Sequence, residues 1–116
     1  MKVVIAGSRG ITDYALVPKA VEASGFKITE EVCGKAVGVD WLGEHYAKLN
    51  NIPVKEFPPE WNKYPPKVAP IMRNITMAEY ADAAIIIWDG KSPGTRHMIT
   101  EVSKRRKPCH VWIVEK

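Results

Sequence analysis

The sequence predicts a three-layer α/β fold: a five-stranded parallel sheet in the order 3-2-1-4-5, with helices on both faces. Three observations carry this. Short apolar runs alternate with amphipathic stretches along the whole chain, the pattern of repeated βα units. The run Ala83-Ala84-Ile85-Ile86-Ile87-Trp88 is apolar without alternation, as expected of a strand covered on both faces. Right-handed crossovers then favour the doubly wound order, with its switch point between the first and fourth strands.

Val3-Val4-Ile5-Ala6 is a β-branched run halted by Gly7, the first strand. Val17, Ala20, Val21 and Ser24 share a helical face, with Pro18 tolerated in the first turn and Gly25 as terminator. Residues 28–33 form a second strand, weakened by Glu30 and Glu31, which stops at Gly34. Val39, Leu42, Tyr46 and Ala47 mark a second helix up to Asn50-Asn51. Residues 53–57 are a short strand of edge character, because Pro53 cannot donate to a ladder.

Residues 58–70 hold five of the nine prolines, with Trp61 and Tyr64. They predict a stiff loop over the site. Ile71, Met72, Ile75, Ala78 and Tyr80 indicate a third helix, and residues 83–88 the central strand. A fourth helix is expected over 95–106, with Met98, Ile99 and Val102 inward and a basic end, residues 104–107, suited to its dipole. Residues 109–114 close the sheet.

At 116 residues, with 46% hydrophobic and 26% charged, the chain predicts one folded domain over 1–116 and leaves no room for separate cofactor and substrate domains. No apolar run approaches the ~20 residues of a membrane span, and the start does not read as a signal peptide. Cys33 and Cys109 lack metal-ligand spacing and read as buried thiols. We expect a cytoplasmic protein with no metal and no cofactor. Seventeen Lys and Arg against thirteen Asp and Glu give a net charge of +4. This suits an anionic ligand but is too mild to indicate nucleic acid by itself.

In such sheets ligands bind at the carboxyl ends of the strands, beside the switch point. Three glycine-bearing loops fall there: Gly7-Ser8-Arg9-Gly10, Gly34 to Asp40 with Gly38 between, and Asp89-Gly90-Lys91-Ser92-Pro93-Gly94-Thr95. Glycine admits a ligand close to the backbone, and the helix behind offers unpaired N–H groups to phosphate. Arg9 adds a planar clamp, and Ser8, Ser92 and Thr95 add hydroxyls. Neither the dinucleotide glycine pattern nor the Walker lysine motif is present.

Ile5-Ala6-Gly7-Ser8-Arg9-Gly10, Gly34-x-x-x-Gly38-Val39-Asp40, Arg73-Asn74 before Met77, Ala81-Asp82, and Asp89 to Thr95 together resemble the SLOG superfamily. That group includes the Smf/DNA-processing proteins and the LOG (Lonely guy) phosphoribohydrolases; the chain looks most like its small stand-alone YspA-type branch. The resemblance implies a Rossmann-like fold that binds nucleotides or nucleotide-derived ligands, and a homodimer or higher homo-oligomer. It also implies that Arg73 stands at the arginine of the LOG site and residues 90–95 at its phosphate loop. LOG enzymes pair that arginine with a glutamate three residues after the Gly-Thr pair. Here that place holds Met98, and residues 91–93 interrupt the loop's glycine pair.

The missing glutamate bears on chemistry, since cleaving an N-glycosidic bond is normally the work of carboxylates. Asp40, Arg73 and Asp89 are the catalytic candidates that remain. Asp40 opens a helix and is placed to bond ribose hydroxyls; Glu44 lies on the same face but otherwise reads as a solvated charge. Asp89 ends the central strand, where turn chemistry with Gly90 is the competing role. Glu101 stands too far along its helix to favour catalysis. His97 is a proton donor by type but otherwise structural or solvated. Trp61 and Tyr64 are placed to stack on a base.

The sequence therefore favours a domain that binds or senses a nucleotide-type phosphate ligand. Its expected contacts are Gly7, Ser8, Arg9, Gly34, Gly38, Asp40, Arg73, Asn74, Asp89, Gly90, Ser92, Gly94 and Thr95. A LOG-like nucleotide hydrolase with a displaced acid is the alternative. Smf-like single-stranded DNA binding, using Arg9, Lys35, Arg73 and Lys91, is less favoured because no basic stripe is present.

Overall fold

The structure, a computed structural model, describes residues 1–114. Nine elements follow one another: β1 (Lys2–Gly7), α1 (Leu16–Ser24), β2 (Glu30–Cys33), α2 (Val39–Leu49), β3 (Val54–Glu56), α3 (Ala69–Tyr80), β4 (Ala83–Trp88), α4 (Pro93–Lys104) and β5 (Cys109–Ile113). The strands form one parallel sheet, ordered β3-β2-β1-β4-β5. Fold class and strand order are those the sequence predicts.

The central strands explain why their runs do not alternate. Val3, Ile5, Ile85 and Ile87 face α1 and α2, packing with Val17, Val39 and Leu42. Val4, Ala6 and Ile86 face α3 and α4, packing with Met77, Ala78, Met98 and Val102. Both faces are dry, so every position of β1 and β4 in between is apolar.

Several boundaries move. β2 starts at Glu30 rather than residue 28, because its pairing with β1 begins at Lys2↔Glu30. Its Glu31, the register partner of Val3, is fully buried on the α2 face. α3 and α4 start two residues earlier than expected, each with a proline in the first turn. A proline there lacks only an N–H that has no helical partner anyway. The buried positions of α3 are Ala69, Asn74, Met77 and Ala78, whereas Ile71 is exposed. The basic end of α4 mostly serves other groups: Lys104 and Arg105 pair with Glu101, and Lys107 Nζ donates to the carbonyls of Ala78 and Glu79, ending α3. Cys33 is buried as expected, but Cys109 is only half-buried.

Candidate functional site

β1 and β4 are neighbours, yet the chain leaves them towards opposite faces of the sheet. The carboxyl ends open there into a cleft of about 540 Å³, within the range of small-ligand sites. Its lining includes Gly7 and Arg9 from the first loop, Asp40 from α2, Arg73 and Asn74 from α3, and Ser92, Gly94 and Thr95 from the start of α4. Met77 and Met98 contribute apolar wall, and the proline-rich loop contributes Pro59 and Trp61. Tyr64 is not on the wall; Lys63 sits 5.3 Å over its ring.

Five of the residues expected at the ligand do not line the cleft: Ser8, Gly34, Gly38, Asp89 and Gly90. Ser8 is buried, and its Oγ accepts from the Asp89 amide at 3.0 Å, with Ser92 Oγ 3.1 Å away. Its carbonyl accepts from Ile11 and Val39. Ser8 thus ties the loops after β1 and β4 together. Asp89 accepts from the amides of Lys91 (2.8 Å) and Ser92 (2.9 Å) and from Ser92 Oγ. These donors hold its carboxyl low, at about 2, the Ser92 amide foremost. The carboxylate organises the turn that starts α4, the role that competed with catalysis in the sequence.

The second loop builds the charged part of the cleft. Asp40 is only 5% exposed, and burial pushes its carboxyl up to about 6. Arg73, the amides of Ala36 and Gly7, and Arg9 act in the opposite direction. Arg73 donates from Nη1 to the carbonyl of Gly34. Gly34 is narrow by necessity: a Cβ there would lie 2.6 Å from Asp40 Oδ2 and 2.9 Å from Arg73 Nη1. The glycine thus lets an acid and a guanidinium close around one point of the backbone.

Glu44 is buried rather than solvated. It binds Lys35 at 2.7 Å and Lys48 at 2.8 Å, with Cys33 Sγ at 3.5 Å, and the two ammonium groups bring its carboxyl down to about 2. Lys35 also pairs with Glu56 at 3.1 Å. The ammonium is therefore already neutralised, although the residue touches the cleft. Lys91 stands outside the wall. Of the four cations expected near the ligand, Arg9 and Arg73 keep guanidinium at the cleft, and neither forms an ion pair among the described residues.

Asn74 reaches the wall, but its amide is taken up by Arg73, Gly94 and His97. Met98, in the position of the LOG glutamate, is buried and lines the cleft with a thioether. Sequence reasoning did not find Val37 and Pro59 as wall residues, nor the bond between Arg73 and Gly34. The wall residues lie in segments without periodicity, and the bond joins positions 39 apart.

The model of the YAcAr family, described as "YspA, cpYpsA-related SLOG family", matches residues 1–64, more than half of the chain. The chain belongs to this family. The SLOG match spans β1 to β3 and thus the first two cleft loops; Arg73 and α4 lie beyond it. No curated protein matches the chain. Among solved structures, DNA processing protein A (DprA) from Streptococcus pneumoniae superposes with a TM-score of 0.73 at 18% identity. The superposition covers 93% of this chain and 48% of that one, so the SLOG chain spans about half its length. The likeness establishes the Rossmann-like fold. No helix among the described residues is long and apolar enough to cross a membrane.

Proposed function

We propose that the chain binds a nucleotide or nucleotide-derived phosphate ligand in this cleft. One observation carries the reading: Arg9, Arg73 and the first turn of α4 line a single cleft together with Trp61 and Pro59. Two guanidinium groups and free helix N–H groups favour phosphate, and an exposed indole beside an apolar wall favours a stacked base. Family membership supports the same reading.

Two other functions stay in competition. An acid raised to about 6 and facing the cleft gives Asp40 the proton affinity a hydrolase needs. The Smf-like resemblance of the sequence is the ground for a single-stranded DNA reading, but at the basic end of α4 Lys104 and Arg105 are engaged by Glu101 and Lys107 by the end of α3. That removes three cations from any stripe that would track a phosphate backbone.

Thermal unfolding with mono-, di- and cyclic nucleotides separates the three. A ligand at ~100 times its dissociation constant adds ~2.7 kcal/mol of stability. Arg73→Ala, by weakening binding about tenfold or more, should cut that gain to about 1.4 kcal/mol or less, while the unliganded variant unfolds within a few degrees of wild type. No shift with any nucleotide, alongside salt-sensitive binding of single-stranded DNA, would replace the proposal with the DNA reading. Release of free base from a nucleoside monophosphate, lost in Asp40→Asn, would make the chain a hydrolase.

A further inference from the structure

The side chains behind Arg73 admit one self-consistent placement of hydrogens. Arg73 Nε can only donate, so the Asn74 atom 3.0 Å from it must be Oδ1. The amide nitrogen of Asn74 then faces the carbonyl of Gly94 at 3.3 Å and Nδ1 of His97 at 3.2 Å. Turning the amide over would set nitrogen against Nε and oxygen against a carbonyl, in a residue buried away from water. The imidazole is the partner that adapts. Its Nδ1 must accept, which leaves the proton on Nε2, 3.5 Å from Glu101 Oε2. Glu101 is buried and also held by Lys104 and Arg105.

This chain of contacts joins two parts of the cleft, since Arg73 comes from α3 and Gly94 from the first turn of α4. We propose that His97 is a positioning residue: its neutral Nε2–H tautomer holds Asn74, which fixes the Arg73 guanidinium against the start of α4. The proposal rests on reading the cleft as an anion site. His97 itself stands outside the wall.

Protonation reverses the arrangement. Asn74 faces the ring from α3, and Glu101, flanked by Lys104 and Arg105, faces it from α4. An imidazolium donates from both nitrogens, so its Nδ1–H would oppose the Asn74 amide while Glu101 attracts Nε2.

Nitrogen-resolved NMR of the full chain tests this, with sulfate as a probe that stays dianionic throughout. At pH 8 His97 should show the Nε2–H tautomer. At that pH the Arg73 Nε–H signal should shift in His97→Leu and stay near its wild-type position in His97→Asn, whose side-chain carbonyl still accepts from Asn74. His97→Leu, which cannot accept, should bind sulfate roughly three- to tenfold more weakly at pH 8, with His97→Asn within about twofold of wild type. An Nδ1–H tautomer, or an Arg73 signal indifferent to His97→Leu, would overturn the proposal. Sulfate failing to bind wild type, with the Arg73 signal responding as expected, would overturn the anion-site reading and leave the relay standing.

Discussion

At Gly38 the backbone has φ +79°, and a Cβ would lie 2.5 Å from the Ser8 carbonyl oxygen and 2.6 Å from Arg9 Cα. Both the torsion and the space exclude a side chain, so the second loop can lie against the first only through glycine. Gly38→Ala should cost about 2 kcal/mol or more. Urea unfolding measures it, and a midpoint equal to wild type would show that the two loops separate freely. The sequence indicates a glycine needed close to something. That the something is the Ser8 and Arg9 backbone, rather than a ligand, depends on a contact across about thirty residues that no local pattern encodes.

Among the elements, α3 is where the sequence pattern and the structure differ most. Its apolar pattern runs through Ile71, Met72, Ile75, Ala78 and Tyr80; Ala78 is buried, yet Ile71 is exposed and Asn74 is buried. Asn74 is inside because Arg73, Gly94 and His97 satisfy its amide there. The end of α3 is likewise finished by a distant residue, Lys107, which donates at 2.8 and 2.9 Å to its last carbonyls. Lys107→Met keeps the stem and removes the ammonium, so it should cost about 1 kcal/mol. Urea unfolding against wild type checks it; an unchanged midpoint would mean that water caps α3 equally well. The five strands and four helices were legible because each carries its own periodicity. The starts of α3 and α4 were less so, since a proline reads as a break and serves here as a first turn.

The whole molecule integrates opposing titrations. Burial raises Glu31 to about 9 and Asp40 to about 6, so both take up protons on folding. Their stabilising protonation is complete below the ordinary carboxylate range and is lost as pH rises through about 6 for Asp40 and about 9 for Glu31. Glu44 and Asp89, lowered to about 2, act in reverse: their contribution is present above the ordinary range and fades as pH falls towards 2. Stability should therefore peak on the acid side of neutrality and decline towards pH 9. Among the described residues neither carboxyl oxygen of Glu31 has a hydrogen-bond partner, so Glu31→Gln should flatten that decline and be the more stable protein at pH 8. Equal slopes in urea titrations at pH 5, 7 and 9 would assign the decline to other groups. The net charge of +4 changes meaning at this scale as well. Lys35, Lys104, Arg105 and Lys107 are committed inside the fold, and the cationic character left at the cleft is that of Arg9 and Arg73.

By itself the sequence determined the α/β class, the strand order and the edge of the sheet where the cleft opens. Those follow from hydrophobic period, glycine position and crossover handedness, all local or topological rules. Only the tertiary structure decided which of the expected residues face the cleft. Ser8 and Asp89 join the loops, Lys35 is neutralised by Glu44 and Glu56, and Asp40 sits with Arg73 around Gly34. A polar side chain's role depends on which partner reaches it first, and those partners come from strands and helices far away in the chain.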